Sequence, residues 1–289
     1  MSQVKVINVH ESKTVTGGAI LTFNIPSYAT IDDIMLNFTN SGAAATNAAI
    51  KAAIGKVALN INGEQVINTT ITRLFDLFDF LGTEVNQYAT KPNVISLNIS
   101  RLFFKNPQYE KAFAIGCANV QTIQLQVYCN AAVTGVTDVE VSTSRRNFVS
   151  NTVSFCKVIS YPQTMASTGI STVDTLPRDS NDGYLAVLAN NGGGAIASGE
   201  CVLNGNTIID PISANLSNYI ASARGYAPVS GYFPYLFTDG SASGVIPMKG
   251  VTELRFKTNF STAPTAGVYD LVAITIKNLP DMFYQAATA

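Results

Sequence analysis

Apolar and polar residues alternate along much of this chain. Residues 22–25, 57–61, 95–99 and 123–127 carry an apolar side chain at every second position or nearly so, and so do 254–257 and 272–276. A period of two sends successive side chains to opposite faces of a strand, so each segment predicts a strand with one face on a core. Clusters rich in Gly, Asn, Ser and Pro lie between them, at Asn40-Ser41-Gly42, 190–194 and 238–244. Such residues favour turns. Two stretches break the period. Leu74, Leu77, Phe78 and Leu81 have the i, i+3, i+4, i+7 spacing of a helix with one apolar face, as do Leu216, Tyr219, Ile220 and Ala223.

These two helices belong to a larger repeat. Leu216 follows Leu74 by 142 residues, the same interval that separates Asn62-Gly63-Glu64-Gln65-Val66-Ile67-Asn68 from Asn204-Gly205-Asn206-Thr207-Ile208-Ile209-Asp210. Each half thus runs through an Asn-Gly turn, a short strand and an amphipathic helix. Residues 120–125 resemble 251–256 at an interval of 131, and 135–139 resemble 267–271 at 132. Upstream, 34–38 before Asn40-Ser41-Gly42 parallels 184–188 before Asn190-Asn191-Gly192 at 150. Four matches in one order, with a slowly changing interval, predict two homologous domains. We expect the first over 1–145, with an N-terminal arm, and the second over 146–289, with a C-terminal tail.

Many short strands per half, with an inserted helix, suit the eight-stranded jelly roll. An immunoglobulin-like sandwich fits less well, being shorter and centred on a tryptophan that this chain lacks. The expected fold class is therefore all-β, as two tandem jelly rolls with short inserted helices.

Composition narrows the function. Of the 289 residues, 47% are hydrophobic and 13% charged, against about 25% charged in an average soluble domain. No apolar run reaches the roughly 18–20 residues of a membrane-spanning helix, and the longest, 268–276, is interrupted by Asp270. A thinly charged surface is best explained by burial against other copies. The net charge is −1, and Arg145-Arg146 is the one adjacent basic pair. No basic stripe exists for direct nucleic-acid binding.

Cys117, Cys129, Cys156 and Cys201 show no CxxC spacing, and His10 is the single histidine. Buried free thiols are expected, not a metal site or disulfides. The N-terminus has no hydrophobic signal core, so the sequons at Asn37, Asn68, Asn98, Asn215 and Asn259 are expected to be chance matches.

Catalytic chemistry finds little support. Gly240-Ser241-Ala242-Ser243-Gly244 has alanine where a nucleophile elbow needs serine, and a Ser-His-Asp triad would have to use His10. No phosphate-cradling glycine loop is present. Asp76 and Asp79 lie on the polar side of the first helix, but Asn218 and Ala221 stand at the equivalent positions of the second. They read as a solvated helix face, not as the opposed carboxylates of a glycosidase. Asp179-Ser180-Asn181-Asp182-Gly183 lacks the spacing and closing glutamate of an EF-hand and reads as a turn. Tyr226, Tyr232, Phe233 and Tyr235 could form a stacking platform, which motivates an alternative: a tandem jelly-roll carbohydrate- or receptor-binding protein. The expectation is no catalytic, cofactor-binding or metal-ligating residue, and no cofactor.

One resemblance sharpens this reading. The segment Ser144-Arg145-Arg146-Asn147-Phe148, followed by Asp174-Thr175-Leu176-Pro177-Arg178 and the strand at 184–188, resembles the domain junction of the corticovirus capsid protein. It covers about 40 residues; the tandem plan and length extend the likeness to the double-jelly-roll major capsid proteins of tailless, membrane-containing icosahedral bacteriophages, of corticovirus and tectivirus type. The resemblance implies a structural, non-enzymatic protein made in the host cytoplasm and built into the virion as a homotrimer of pseudo-hexagonal outline. It implies as partners neighbouring capsomers, minor capsid and vertex proteins and an internal membrane. Residues 1–13 and 281–289 would be arms. The exposed tip is expected at 238–244.

Overall fold

The alternating segments at 22–25, 57–61, 123–127, 254–257 and 272–276 fall on strands, the first as far as Asn24. Segment 95–99 does so over its first two residues, with 98–99 outside the described residues. The structure, a computed structural model, describes residues 5–81, 93–97, 114–151, 154–238 and 244–279. The chain divides into two compact units, Met1–Cys156 and Lys157–Ala289.

The first unit contains β1 (Lys5–Thr14), β2 (Ile20–Asn24), β3 (Ile31–Asn40), β4 (Ala43–Ala44), α1 (Asn47–Ala53), β5 (Ile54–Ile61), β6 (Glu64–Thr70), α2 (Ile71–Leu81), β7 (Val94–Ser96), β8 (Ile123–Cys129) and β9 (Asp138–Arg146). One sheet has the order β1-β9-β3-β7, with the short β4 also on β3. The other runs β2-β8-β5-β6. Apart from the β3–β4 and β5–β6 hairpins, sequence neighbours thus fall in different sheets, and the last strand returns beside the first, which is the jelly-roll connection.

The second unit contains β10 (Phe155–Thr164), which starts two residues ahead of the unit boundary, then β11 (Gly169–Val173), β12 (Gly183–Asn190), β13 (Ala195–Leu203) and β14 (Asn206–Ser213). It continues with α3 (Ala214–Ala223), β15 (Tyr232–Leu236), β16 (Ile246–Pro247), β17 (Leu254–Thr262) and β18 (Val268–Lys277). Its sheets run β10-β18-β12-β15 and β11-β17-β13-β14. Strand for strand, this is the order of the first unit. The expected all-β fold of two tandem jelly rolls with short inserted helices is the fold observed.

The repeat extends to single hydrogen bonds. Asn62-Gly63 joins β5 to β6 and Asn204-Gly205 joins β13 to β14, with φ of 52° and 82° in the first turn and 49° and 79° in the second. Positive φ at both central residues defines the type I′ hairpin, in which Gly carries no Cβ penalty. The Asn62 side chain accepts from the backbone N–H groups of Gln121 and Thr122 at 2.8 and 3.2 Å and donates to the Asn119 carbonyl at 3.1 Å. Asn204 accepts from Thr252 and Glu253 at 2.8 and 3.0 Å and donates to the Gly250 carbonyl at 3.3 Å. Each hairpin is thereby tied to the start of the strand beside it.

Each unit has its own core. In the first, Phe23, Leu36, Phe38, Leu59, Leu125 and Val141 are buried from both sheets. In the second, Val187, Phe233, Tyr235, Tyr269 and Leu271 face Cys201, Leu254, Phe256 and Phe260. Phe233, Tyr235 and Phe256 meet edge to face or tilted, with centroids 4.7 and 5.1 Å apart. Burying each such ring contributes about 1.5–3 kcal/mol. Gly199 on β13 makes room for them, since a Cβ there would lie 2.5 Å from the Phe233 ring.

Two expectations need correction. Residues 1–13 do not form an arm from Lys5 onward: β1 pairs with β9 along its length, with a bulge between Val9 and Glu11. Exposed Ile7 and Val9 with polar partners conceal a strand whose other side is shared with the sheet. The second helix turns its apolar stripe outward. Leu216 is 47% and Tyr219 71% exposed, while Ser217 and Ala221 face the sandwich. Ser217 donates through Oγ to the Pro234 carbonyl at 2.6 Å, and these small residues let α3 lie close to β15. In α2, Leu74, Leu77, Phe78 and Leu81 are buried as the spacing predicts. Residues 281–289 and most of 238–244 lie outside the described residues.

Candidate functional site

The residues that could carry chemistry are taken up by the fold. Asp76 ion-pairs with Lys51 and Arg73 at 3.7 and 3.9 Å. Partial burial raises the Asp79 carboxyl, Lys51 opposes that and Asp76 adds to it. Both carboxylates thus lie around one lysine of the neighbouring helix.

In the turn at Asp179–Gly183, Lys277 lies 3.6 Å from a carboxylate oxygen of Asp179 and of Asp182. Asp182 Oδ1 accepts from the Asn278 N–H at 3.3 Å, and the Asp182 N–H donates to the Asp179 carbonyl at 2.9 Å. Burial raises the Asp182 carboxyl, against the pull of Lys277. Lys277 thus neutralises this turn, while backbone N–H groups hold Asp182 Oδ1 and the Asp179 carbonyl.

The aromatic cluster is a core, not a platform. Tyr226, Tyr232, Phe233 and Tyr235 are at most 8% exposed. The Tyr235 hydroxyl donates to the Lys257 carbonyl at 2.8 Å, with Thr258 Oγ1 also at 2.8 Å. The sequence shows four aromatics between glycine and proline; only the three-dimensional packing turns their rings inward. The four cysteines are free and buried. Burial pushes the Cys156 and Cys201 thiols up to about 12, which leaves them as unreactive apolar groups.

The paired arginines have the most unexpected placement. Arg145 is 1% and Arg146 7% exposed, so the pair does not stand out from the surface as a basic patch would. Arg146 pairs with buried Asp32 at 2.5 Å. Arg145 donates through Nε to Thr143 Oγ1 at 2.8 Å and through Nη2 to the Pro26 carbonyl at 2.6 Å. Its guanidinium lies 4.2 Å from the centre of the Tyr28 ring. His10 completes the group, with Nε2 2.7 Å from Thr143 Oγ1 and 3.5 Å from Arg145 Nη2. Because arginine only donates, Nε2 is the unprotonated nitrogen, and the Thr143 hydroxyl donates to it. Burial, then the charge of Arg145, lowers the His10 pKa.

A cavity of about 320 Å³ opens beside this group, lined by Val6, Tyr28, Phe148 and Val149 together with both guanidinium side chains. Those four apolar residues are 37–56% exposed. The basic pair marks this place in the sequence, but its alternation with buried and exposed apolar residues does not show that a cavity forms.

Comparison with known proteins places the whole chain in one context. Residues 6–143 match the family model described as viral coat protein P2 N-terminal domain, and residues 155–272 match the viral coat protein P2 C-terminal domain. Among solved structures, the major capsid protein P2 of bacteriophage PM2 is similar at 14% identity and a TM-score of 0.78, over 95% of this chain and 97% of that one. The STIV major capsid protein is similar at 14% identity and 0.67, over 99% of both chains. The PBCV-1 virus capsid follows at 11% and 0.64, over 95% and 94%. At these identities the likeness is one of fold. No curated protein matches the chain by sequence.

Proposed function

The chain belongs to the viral coat protein P2 family, and on that premise we propose that it is the major capsid protein of an icosahedral virion, working as a homotrimeric capsomer. The observation that carries this reading is the strand-for-strand repeat of the jelly roll, β1-β9-β3-β7 and β2-β8-β5-β6 against β10-β18-β12-β15 and β11-β17-β13-β14. Three copies of a chain with two alike units present six near-equivalent walls, the arrangement that tiles a hexagonal lattice. The role is structural, not enzymatic: Asp76, Asp182, His10 and the thiols serve ion pairs, hydrogen bonds or the core.

The partners are neighbouring capsomers first, then minor capsid and vertex proteins and an internal membrane beneath the shell. Synthesis is in the host cytoplasm and the working location is the virion. Direct genome contact is not part of the role, which the burial of Arg145 and Arg146 supports.

Light scattering of the purified chain at several concentrations tests this. We expect a stable species near three times 30.7 kDa, growing into larger assemblies or hexagonal arrays at high concentration. A monomer at every concentration overturns the proposal.

A further inference from the structure

We propose that the cavity beside Arg145 is a socket that receives Asp210 and Ile208 of a second copy of this chain. The inference rests on the coat-protein reading, which requires contacts between copies, and names two faces that make one.

Among the described residues, the socket lacks an anion. The partners of Arg145 among those residues are all neutral: a hydroxyl, a backbone carbonyl, a histidine and an aromatic ring. Its Nη1 is buried without a hydrogen bond. The nearby carboxylate, Asp32, is taken by Arg146. A buried guanidinium without a counter-ion is unfavourable, and a carboxylate placed beside it relieves that cost. Around it, Val6, Tyr28, Phe148 and Val149 leave apolar surface in water. An arginine at the floor of a pocket rimmed by Tyr and Phe is the composition of an energetic centre in a protein interface.

The complementary face is on β14. From Asn206 to Ala223 the chain carries a single charge, Asp210. Ile208 stands two residues before it, at the register shift between Thr207 and Ile209, and both residues are exposed. Among the described residues, Asp210 is an exposed strand carboxylate without a hydrogen bond or ion pair, and the exposed aliphatic Ile208 lies two positions away. A carboxylate and a sec-butyl group two residues apart match a socket that offers a guanidinium and an apolar rim. Socket and insert are different surface patches, so the contact is heterologous.

The experiment uses the full chain and exposed positions whose replacement leaves the core intact. Tyr28→Asp and Val149→Asp damage the socket, and Asp210→Lys damages the insert. Sedimentation velocity across a concentration series is expected to show self-association weakened roughly tenfold or more in each variant, the scale of an interface centre, with melting temperatures close to wild type. Mixing Tyr28→Asp with Asp210→Lys is the sharper test. One intact socket then meets one intact insert, and a 1:1 heterodimer forms that neither variant forms alone and that grows no further.

Wild-type association in all three variants overturns the socket while leaving the coat-protein reading in place. Weakening by the variants of one face only, or a mixture that stays monomeric, overturns the pairing of these two faces. A wild-type chain that never associates removes the coat-protein reading, and the socket with it.

Discussion

His10 shows how a single residue can act against the most obvious reading of its type. As the only histidine, it would have to be the base of any histidine-dependent mechanism. Instead it accepts a hydrogen bond from Thr143 and lies against a guanidinium, which holds it neutral. Its folded pKa lies below the ordinary 6.5, so the unfolded chain takes up the proton first as pH falls. The stability that neutral His10 supplies is complete above about pH 6.5 and is lost as pH drops through that value toward the folded pKa. Burial raises the Asp79 and Asp182 carboxyls; these groups act in the opposite sense, stabilising at lower pH. The difference between wild type and His10→Gln isolates the histidine. Melting temperatures between about pH 7.5 and 5.5 are expected to fall more in wild type than in the variant; equal slopes would show that His10 keeps its ordinary pKa.

The helices after the two hairpins show how one element can be duplicated and then used in opposite ways. Both are capped at their start by a hydroxyl, Thr70 to the Arg73 N–H at 3.3 Å and Ser213 to the Leu216 N–H at 3.2 Å. In α2 seven of eleven residues are buried, Leu77 among them. In α3 the equivalent of Leu77 is Tyr219, which is 71% exposed. Replacing Leu77 by Ala empties core volume and is expected to cost about 2–5 kcal/mol. Tyr219→Ser removes an exposed ring and is expected to change stability by no more than about 0.5 kcal/mol. Urea unfolding of both variants measures this, and a large loss for Tyr219→Ser would mean that the stripe of α3 is covered within the chain. The hairpins themselves were legible: Asn-Gly between alternating runs demands the type I′ turn, and both turns form it.

Charge is scarce across the molecule as a whole, and much of it is internally matched. Beyond the buried Arg146–Asp32 pair, Glu200 holds Lys257 at 2.8 Å, and Lys277 serves two aspartates. With a net charge of −1, long-range repulsion or steering between copies is weak, and apolar contact is left to drive association. The association seen by light scattering is therefore expected to persist from about 0.05 to 0.5 M sodium chloride and to strengthen in sulfate, which favours apolar burial. Dissociation on adding sodium chloride would instead assign the assembly to exposed ion pairs.

The sequence by itself determined what depends on neighbours along the chain. Alternation located several of the strands, Asn-Gly fixed two turns, and an interval near 142 residues revealed the duplication, because local backbone preference and side-chain period act within a few residues. Only the tertiary structure decided what depends on contact across the sequence. It turned Tyr232, Phe233 and Tyr235 into core, paired β1 with β9 more than a hundred residues away, and set the stripe of α3 outward. It also placed Arg145 beneath Tyr28 at the edge of a cavity. Whether an apolar or charged side chain meets water or protein is settled by the element that packs on it, and in a sandwich that element comes from the opposite sheet or a distant strand.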